Sequence, residues 1–107
     1  MAFIELPIAA DTPHQSFSVQ LDGALYTVRL RYNTRAGHWI LDLFTFAGEQ
    51  LVAGLALRLG VDLLSQYRSA EMPPGSLFVL NYVDPYAEPD RDNFGQDVML
   101  IYQEAQS

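Results

Sequence analysis

Residues 17–46 read FSVQLDGALYTVRLRYNTRAGHWILDLFTF and alternate between apolar and polar side chains in three runs. Alternation of this kind is typical of half-buried β-strands. Asp22-Gly23 separates the first two runs, and this dipeptide strongly predicts a two-residue hairpin turn because glycine readily adopts a positive φ. Asn33–Gly37 provides a longer connection to the third run. We therefore predict three consecutive antiparallel strands, which contain no recognisable set of catalytic residues.

The rest of the chain contains further short apolar runs bounded by glycine, proline and asparagine. With the three above, the predicted strands are Ala2–Ile8, Gln15–Leu21, Leu25–Tyr32, His38–Phe46, Gln50–Leu57, Ser76–Val83 and Gln96–Gln103. Gly54 inside one of them indicates a β-bulge or a close backbone approach. Helical spacing within Gly60–Arg68, with Asp62 near its start, indicates one or two helical turns. We expect an all-β fold, a small antiparallel β-sandwich or barrel of six to seven strands with one short helical turn.

The composition limits both the architecture and the partners. The chain has 107 residues, half of them hydrophobic and 18% charged, which suits one folded β-rich domain spanning residues 1–107. It has no cysteine, so disulfides and thiolate metal sites are excluded. The sequence shows no signal peptide and no membrane-spanning apolar run. A net charge of −7 with only six Lys and Arg residues argues against nucleic acid. We expect a soluble protein that binds neither nucleic acid nor membrane.

Strand His38–Phe46 is apolar on both faces, so it is either central in a sandwich or covered by a partner. Trp39 and Tyr82 are among the aromatic residues placed in strands, and most of these aromatics are expected to fill the core. Apolar residues that a small core cannot hold are candidates for a protein–protein contact surface. These candidates are Ile40, Phe44, Phe46 and Met99. Tyr86 and Phe94 are further candidates, although the two could equally form a satellite cluster under their loop.

Two arginines, Arg29 and Arg31, point outward from the second strand of the opening stretch. A lone strand carboxylate is usually paired, and Asp42 is expected to pair with one of these arginines across the hairpin. One interpretation is a solvated face that offsets nearby carboxylates. This interpretation is favoured over a nucleic-acid patch. A further hypothesis is that a basic stripe on an acidic domain docks onto an acidic protein neighbour. Arg29 and Arg31 are therefore also candidate interface residues.

The proline- and carboxylate-rich loop 84–93 partly matches the start of a calcium-binding loop at Asp90, Asp92 and Gly95. The fifth and twelfth positions of that motif carry Phe94 and Ile101 in place of oxygen ligands. A solvated acidic loop is the favoured interpretation, and we predict no metal and no cofactor.

Catalysis is not indicated by the two histidines of the chain. His14 lies in or beside a turn, and His38 opens a strand next to Trp39. Neither is accompanied by a convincing nucleophile or acid, and the mere presence of serine, histidine and aspartate means little. We therefore predict that the protein is not an enzyme.

The order and spacing of these features resemble the baseplate plug proteins of contractile-tailed bacteriophages. The residues that carry the resemblance are Asp22-Gly23, Tyr26, Trp39, Asp42, Gly54, Gly60, Asp62-Leu63-Leu64 and Tyr67. The resemblance implies a small, non-enzymatic structural component of the virion tail baseplate, made and assembled in the host cytoplasm. It also implies contacts with other baseplate, tube and hub proteins and a symmetric oligomer within the particle.

A second class of function is compatible with the same strands. A carbohydrate- or peptide-binding β-sandwich module would use Trp39 or Tyr86 as an aromatic platform open to solvent. The position of Trp39 in an apolar strand speaks against its exposure.

Overall fold

The fold is all-β in the computed structural model, which describes residues 3–9, 12–65, 67, 72–84, 86–90 and 93–105. The described residues form seven strands: β1 (Phe3–Glu5), β2 (His14–Leu21), β3 (Ala24–Asn33), β4 (His38–Thr45), β5 (Gln50–Ala56), β6 (Ser76–Asn81) and β7 (Val98–Gln103). They make two antiparallel sheets with the orders β1-β7-β6 and β2-β3-β4-β5. The sheets do not close into a barrel, so the β-sandwich alternative is confirmed. No helix of the described residues is long and apolar enough to cross a membrane.

The four-stranded sheet is a meander built from the opening stretch of the sequence. Leu21 and Ala24 pair across the turn, and both turn residues have positive φ, 50° at Asp22 and 84° at Gly23. These angles are the ones a type I′ hairpin turn requires. The longer turn after β3 is closed by a Gly37 N–H that donates to the carbonyl of Asn33 at 2.7 Å. The three strands predicted from this stretch are therefore confirmed.

The core lies between the inner faces of the two sheets. From the four-stranded sheet it receives the inward residues of β3 and β4, including Val28, Leu30 and Leu41. From the three-stranded sheet it receives Leu100 and Tyr102 of β7. Because side chains alternate across a strand, the residues between these point to the outer faces. Those outer faces are where partner contacts are possible.

One hydrogen-bonded seam ties the two sheets together at the edge of the core. The buried Tyr102 hydroxyl donates to Asp22 Oδ2 at 2.5 Å and accepts the Gly75 N–H at 2.7 Å. Burial, and then the hydrogen bond to Asp22, raise the pKa of Tyr102 well above its usual value. A Cβ on Gly75 would lie 2.1 Å from the Gln103 carbonyl oxygen, so only glycine fits there. The seam thus fixes the first hairpin turn against β7.

The predicted short helical turn in 60–68 is wrong for the residues described there. Residues 63–65 form isolated turns, with the Ser65 N–H donating to the Asp62 carbonyl at 3.2 Å. The preceding residues bond to β6, because the Gly60 N–H donates to the Val79 carbonyl at 3.3 Å. This pairing fixes the segment against β6 and competes with a helix. Gln66 and Arg68 lie outside the described residues.

The predicted bulge at Gly54 is confirmed. The β4–β5 register shifts between Leu41 and Leu43 and again between Leu43 and Phe44, and Gly54 has a φ of 68°. The last-but-one strand is shorter than predicted, since β6 ends at Asn81. Tyr82 lies beyond it and is largely exposed, so its placement in a strand was wrong.

Candidate protein–protein interface

The outer face of the four-stranded sheet is organised around one buried carboxylate. Asp42 Oδ2 accepts from Arg29 Nε at 3.1 Å and from Arg31 Nη1, and Oδ1 accepts the Gly54 N–H at 2.8 Å. The Asp42 side chain is only 2% exposed, whereas both arginines are substantially exposed. The expected pairing of Asp42 across the hairpin is confirmed, with both arginines as partners. The bulge at Gly54 serves this site because it turns a backbone donor toward the carboxylate.

Burial alone would raise the pKa of Asp42. The Gly54 N–H and the two arginines outweigh burial, and the pKa of this carboxyl is lowered. Asp42 is therefore charged at neutral pH, and the arginine charges directed at it are partly neutralised. The ion pairs hold the guanidinium groups of Arg29 and Arg31 at the outer face of the sheet.

We call this surface the arginine face, comprising Arg29, Arg31, Ile40, Asp42 and Phe44. The Arg29 guanidinium lies 5.0 Å from the centre of the Phe44 ring, close enough for a cation–π contact. Phe44 is half-buried, and Ile40 is buried between Arg31 and Ala56 on the neighbouring strands. Ile40 thus offers little surface to a partner in this fold. Phe46 lies in the turn after β4 and is largely exposed.

The outer face of the three-stranded sheet has a different character. We call it the apolar face, comprising Phe3, Glu5, Phe78, Leu80, Met99 and Ile101 with the adjoining Tyr82. Strand pairing places Leu80 opposite Met99 and Phe78 opposite Ile101 on this side. Phe3 is 66% exposed, and an open depression of about 430 Å³ is lined by Phe3, Glu5, Leu80, Tyr82 and Ile101. The Tyr82 hydroxyl donates to Glu5 Oε2 at 3.3 Å and forms its polar margin.

Of the predicted candidates, only Met99 belongs to the apolar face, where it is half-buried. The other residues of this face were missed by sequence reasoning. A usable signal exists, since β6 and β7 are apolar on both sides just as β4 is. Applying the two-sided argument to Ser76–Asn81 would have named Phe78 and Leu80.

Two aromatic candidates lie in or beside the acidic loop after β6, and they differ in burial. Tyr86 is 90% exposed, whereas Phe94 is 1% exposed and packs on Trp39 with ring centres 4.7 Å apart. Trp39 is itself buried and donates its indole N–H to the Asp90 carbonyl at 2.7 Å. Phe94 therefore belongs to the core and anchors the loop from beneath. Buried Trp39 cannot serve as an aromatic platform.

The loop carboxylates are engaged in shaping the loop. Asp90 and Asn93 bond reciprocally, each side chain accepting the backbone N–H of the other at 2.7–2.8 Å. Within the described ranges, no group of three His, Asp or Glu side chains is placed to hold a metal ion. Asp92 of the partial calcium motif lies outside those ranges. His14 and His38 stand at the start of β2 and of β4.

Comparison with known proteins identifies the family. The sequence model of the family described as the cyanophage Pam3 baseplate plug gp18 matches residues 3–105. The chain therefore belongs to this family of phage tail baseplate plug proteins. No curated protein sequence matches it significantly. The family is one of structural baseplate components, which implies contacts with other baseplate proteins and a location in the virion tail baseplate.

Proposed function

We propose that this protein is a non-enzymatic structural component of a contractile phage tail baseplate, held near the central tube and hub by protein–protein contacts. Copies assemble symmetrically with one another in the particle. Family membership supports the baseplate role, and the apolar face is the single structural observation that carries the contact proposal. A plug is expected to obstruct or seal the tube lumen. A small sandwich with an exposed apolar face for binding a neighbour suits that task.

The apolar face is the proposed contact with a neighbouring baseplate protein. Exposed Phe3, Leu80 and Tyr82 surround a depression whose floor includes Ile101, which has only 6% of its surface exposed. Contiguous apolar patches with a polar margin mark protein–protein contacts, because a monomer gains nothing from exposing them. Glu5 and the Tyr82 hydroxyl supply that margin.

The arginine face is the second proposed contact, and its neighbour is acidic. Two arginines share one carboxylate, so the cluster keeps a net positive charge on a chain of net charge −7. Arg29, Arg31 and the nearby exposed Phe46 are the residues proposed to make this contact, with Phe44 behind them. Phe94 and Ile40 are not part of the proposed surface, because both are buried.

Quantitative mass spectrometry of purified tail particles tests the proposal. We expect the chain at a fixed ratio to the tube-initiating and hub proteins, in a small multiple of three or six. Absence from particles would overturn the proposed function.

A matched pair of variants tests the apolar face within the same particles. Leu80 and Val61 have similar exposure, 42% and 47%, but Val61 lies outside both proposed faces. We expect Leu80→Asp to reduce incorporation severalfold while Val61→Asp leaves it unchanged. Equal incorporation of the two variants would remove the apolar face from the proposal.

A further inference from the structure

The four strand edges of the sandwich are not equally protected. Among the described residues, β6 is covered at its outer edge by the 59–63 segment, whose Leu63 N–H donates to the Leu77 carbonyl at 2.8 Å. β1 has three residues, and β5 is interrupted by the bulge at Gly54. Short length, bulges and covering segments are the usual ways to keep an edge from pairing with another chain.

The remaining edge, β2, has none of these protections within the described part of the chain. It runs for eight residues, HQSFSVQL, with unbroken register against β3. It contains no proline, no lysine and no residue with positive φ. Strands of this kind are templates for pairing with a further strand.

The direction of the free backbone groups follows from the observed bonds. The Tyr32 N–H donates to the Pro13 carbonyl at 2.9 Å, and Leu21 pairs with Ala24 across the two-residue turn. Antiparallel residues alternate between bonded and non-bonded pairs, so the odd residues of β2 bond to β3. The N–H and C=O groups that point away from β3 are those of His14, Ser16, Ser18 and Gln20. All four residues are exposed, and no described backbone group bonds to them from outside the sheet.

We propose that β2 pairs with β2 of a second copy of this chain, antiparallel and centred on Phe17. This register sets His14 opposite Gln20 of the second copy and Ser16 opposite Ser18 of the second copy. All four outward residues then find a partner, and the two four-stranded sheets become one continuous sheet. The inference rests on the proposed function in one respect, that copies of the chain contact each other.

The side chains of β2 favour a second copy over an unrelated strand. The pattern is close to a mirror image about Phe17, with serine on both sides and polar residues at both ends. The strand carries no carboxylate, lysine or arginine, so self-pairing sets no like charges directly opposite each other. Phe17 and Val19 face the core side but are only half-buried, and pairing would set Phe17 against Phe17 and Val19 against Gln15 of the second copy.

Sedimentation velocity of the purified full chain over a concentration series tests the pairing. The wild type is expected to reach twice the 12.0 kDa of one chain. Ser18→Pro removes an outward N–H that makes no bond to β3, so it should abolish the dimer while thermal stability changes little. Ser18→Thr is the matched control and should dimerise. A wild type that stays monomeric up to its solubility limit, or an undiminished dimer in Ser18→Pro, overturns the inference.

A second pair of variants tests the register. Ser16→Glu with Ser18→Lys places opposite charges across the proposed interface, whereas Ser16→Glu with Ser18→Glu places like charges there. We expect the first to dimerise at least tenfold more tightly than the second at low salt, and the difference to shrink at high salt. Equal affinities would overturn the register. A chain that enters tail particles but never dimerises would fail this inference alone, because incorporation is measured separately.

Discussion

The two outer faces of the sandwich differ in how their apolar side chains are shielded from water. Both belong to sheets whose central strands, β4 and β7, are apolar on both sides. On the arginine face, Arg29 and Arg31 are held over the buried Asp42 by ion pairs. On the apolar face, no described ion pair does this, and Phe3 and Leu80 remain open. The first face is covered in part by its own ion-paired side chains, whereas the second stays open and is the face for which we propose a partner.

The largest effect on stability is expected from breaking the arginine face at its centre. Asp42→Ala leaves the Gly54 N–H without its acceptor and releases both arginines. Removing one partner of a buried ion pair costs about 3–5 kcal/mol, and we expect about 2–3 kcal/mol because the arginines are partly exposed and regain water. Urea unfolding measures the loss. Asp84→Ala, at an exposed loop position, is the control, and equal costs for the two variants would contradict the central role of Asp42.

We expect the second largest loss of stability from breaking the seam between the sheets. Tyr102→Phe keeps the packing but deprives the Gly75 N–H and Asp22 of the buried hydroxyl. We expect a loss of about 1–2 kcal/mol in the free energy of unfolding. Tyr86→Phe removes an exposed hydroxyl and should cost nothing measurable. A neutral Tyr102→Phe would show that the seam contributes no stability to the contact between the two sheets.

The pH dependence of stability tests the Asp42 ion pairs on the arginine face. The pKa of Asp42 is lower in the folded state than in the unfolded chain. Its contribution is therefore fully present above the unfolded value of about 3.9 and is lost as the pH falls through the folded value. We expect a shallower decline below about pH 4 in Asp42→Asn than in the wild type. Parallel declines in urea midpoint would show that other carboxyls dominate acid unfolding.

The smallest effect on stability is expected on the apolar face. Leu80 is already partly exposed, so Leu80→Asp should change the free energy of unfolding by less than about 0.5 kcal/mol. A core site such as Leu100→Asp would instead unfold the protein. Thermal melting of the two variants checks the contrast. A strongly destabilised Leu80→Asp would mean that Leu80 supports the monomer, and the reduced incorporation expected of it would then have a second explanation.

The structure of the four-stranded sheet was more predictable from the sequence than that of the three-stranded sheet. The β2–β3–β4 meander was predictable because its neighbours are adjacent in sequence and joined by a turn with clear chemistry. The pairing of Asp42 with Arg29 and Arg31 followed from the same hairpin. The covered edge of β6 was not predictable, because the segment that covers it comes from earlier in the chain and displaces the expected helical turn. The burial of Phe94 was not predictable for the same reason, because it depends on packing against Trp39, which is distant in sequence.

By itself, the sequence determined the all-β class, the first hairpins and the alternation that sorts inward from outward side chains, because strand period and turn chemistry are local properties. Only the tertiary structure decided which outward residues stay exposed. Burial of Ile40 and Phe94, the seam through Tyr102, and the opening of the apolar face depend on segments distant in sequence that pack together. Local patterns carry no information about such contacts, and these contacts decide which surfaces are left for partners.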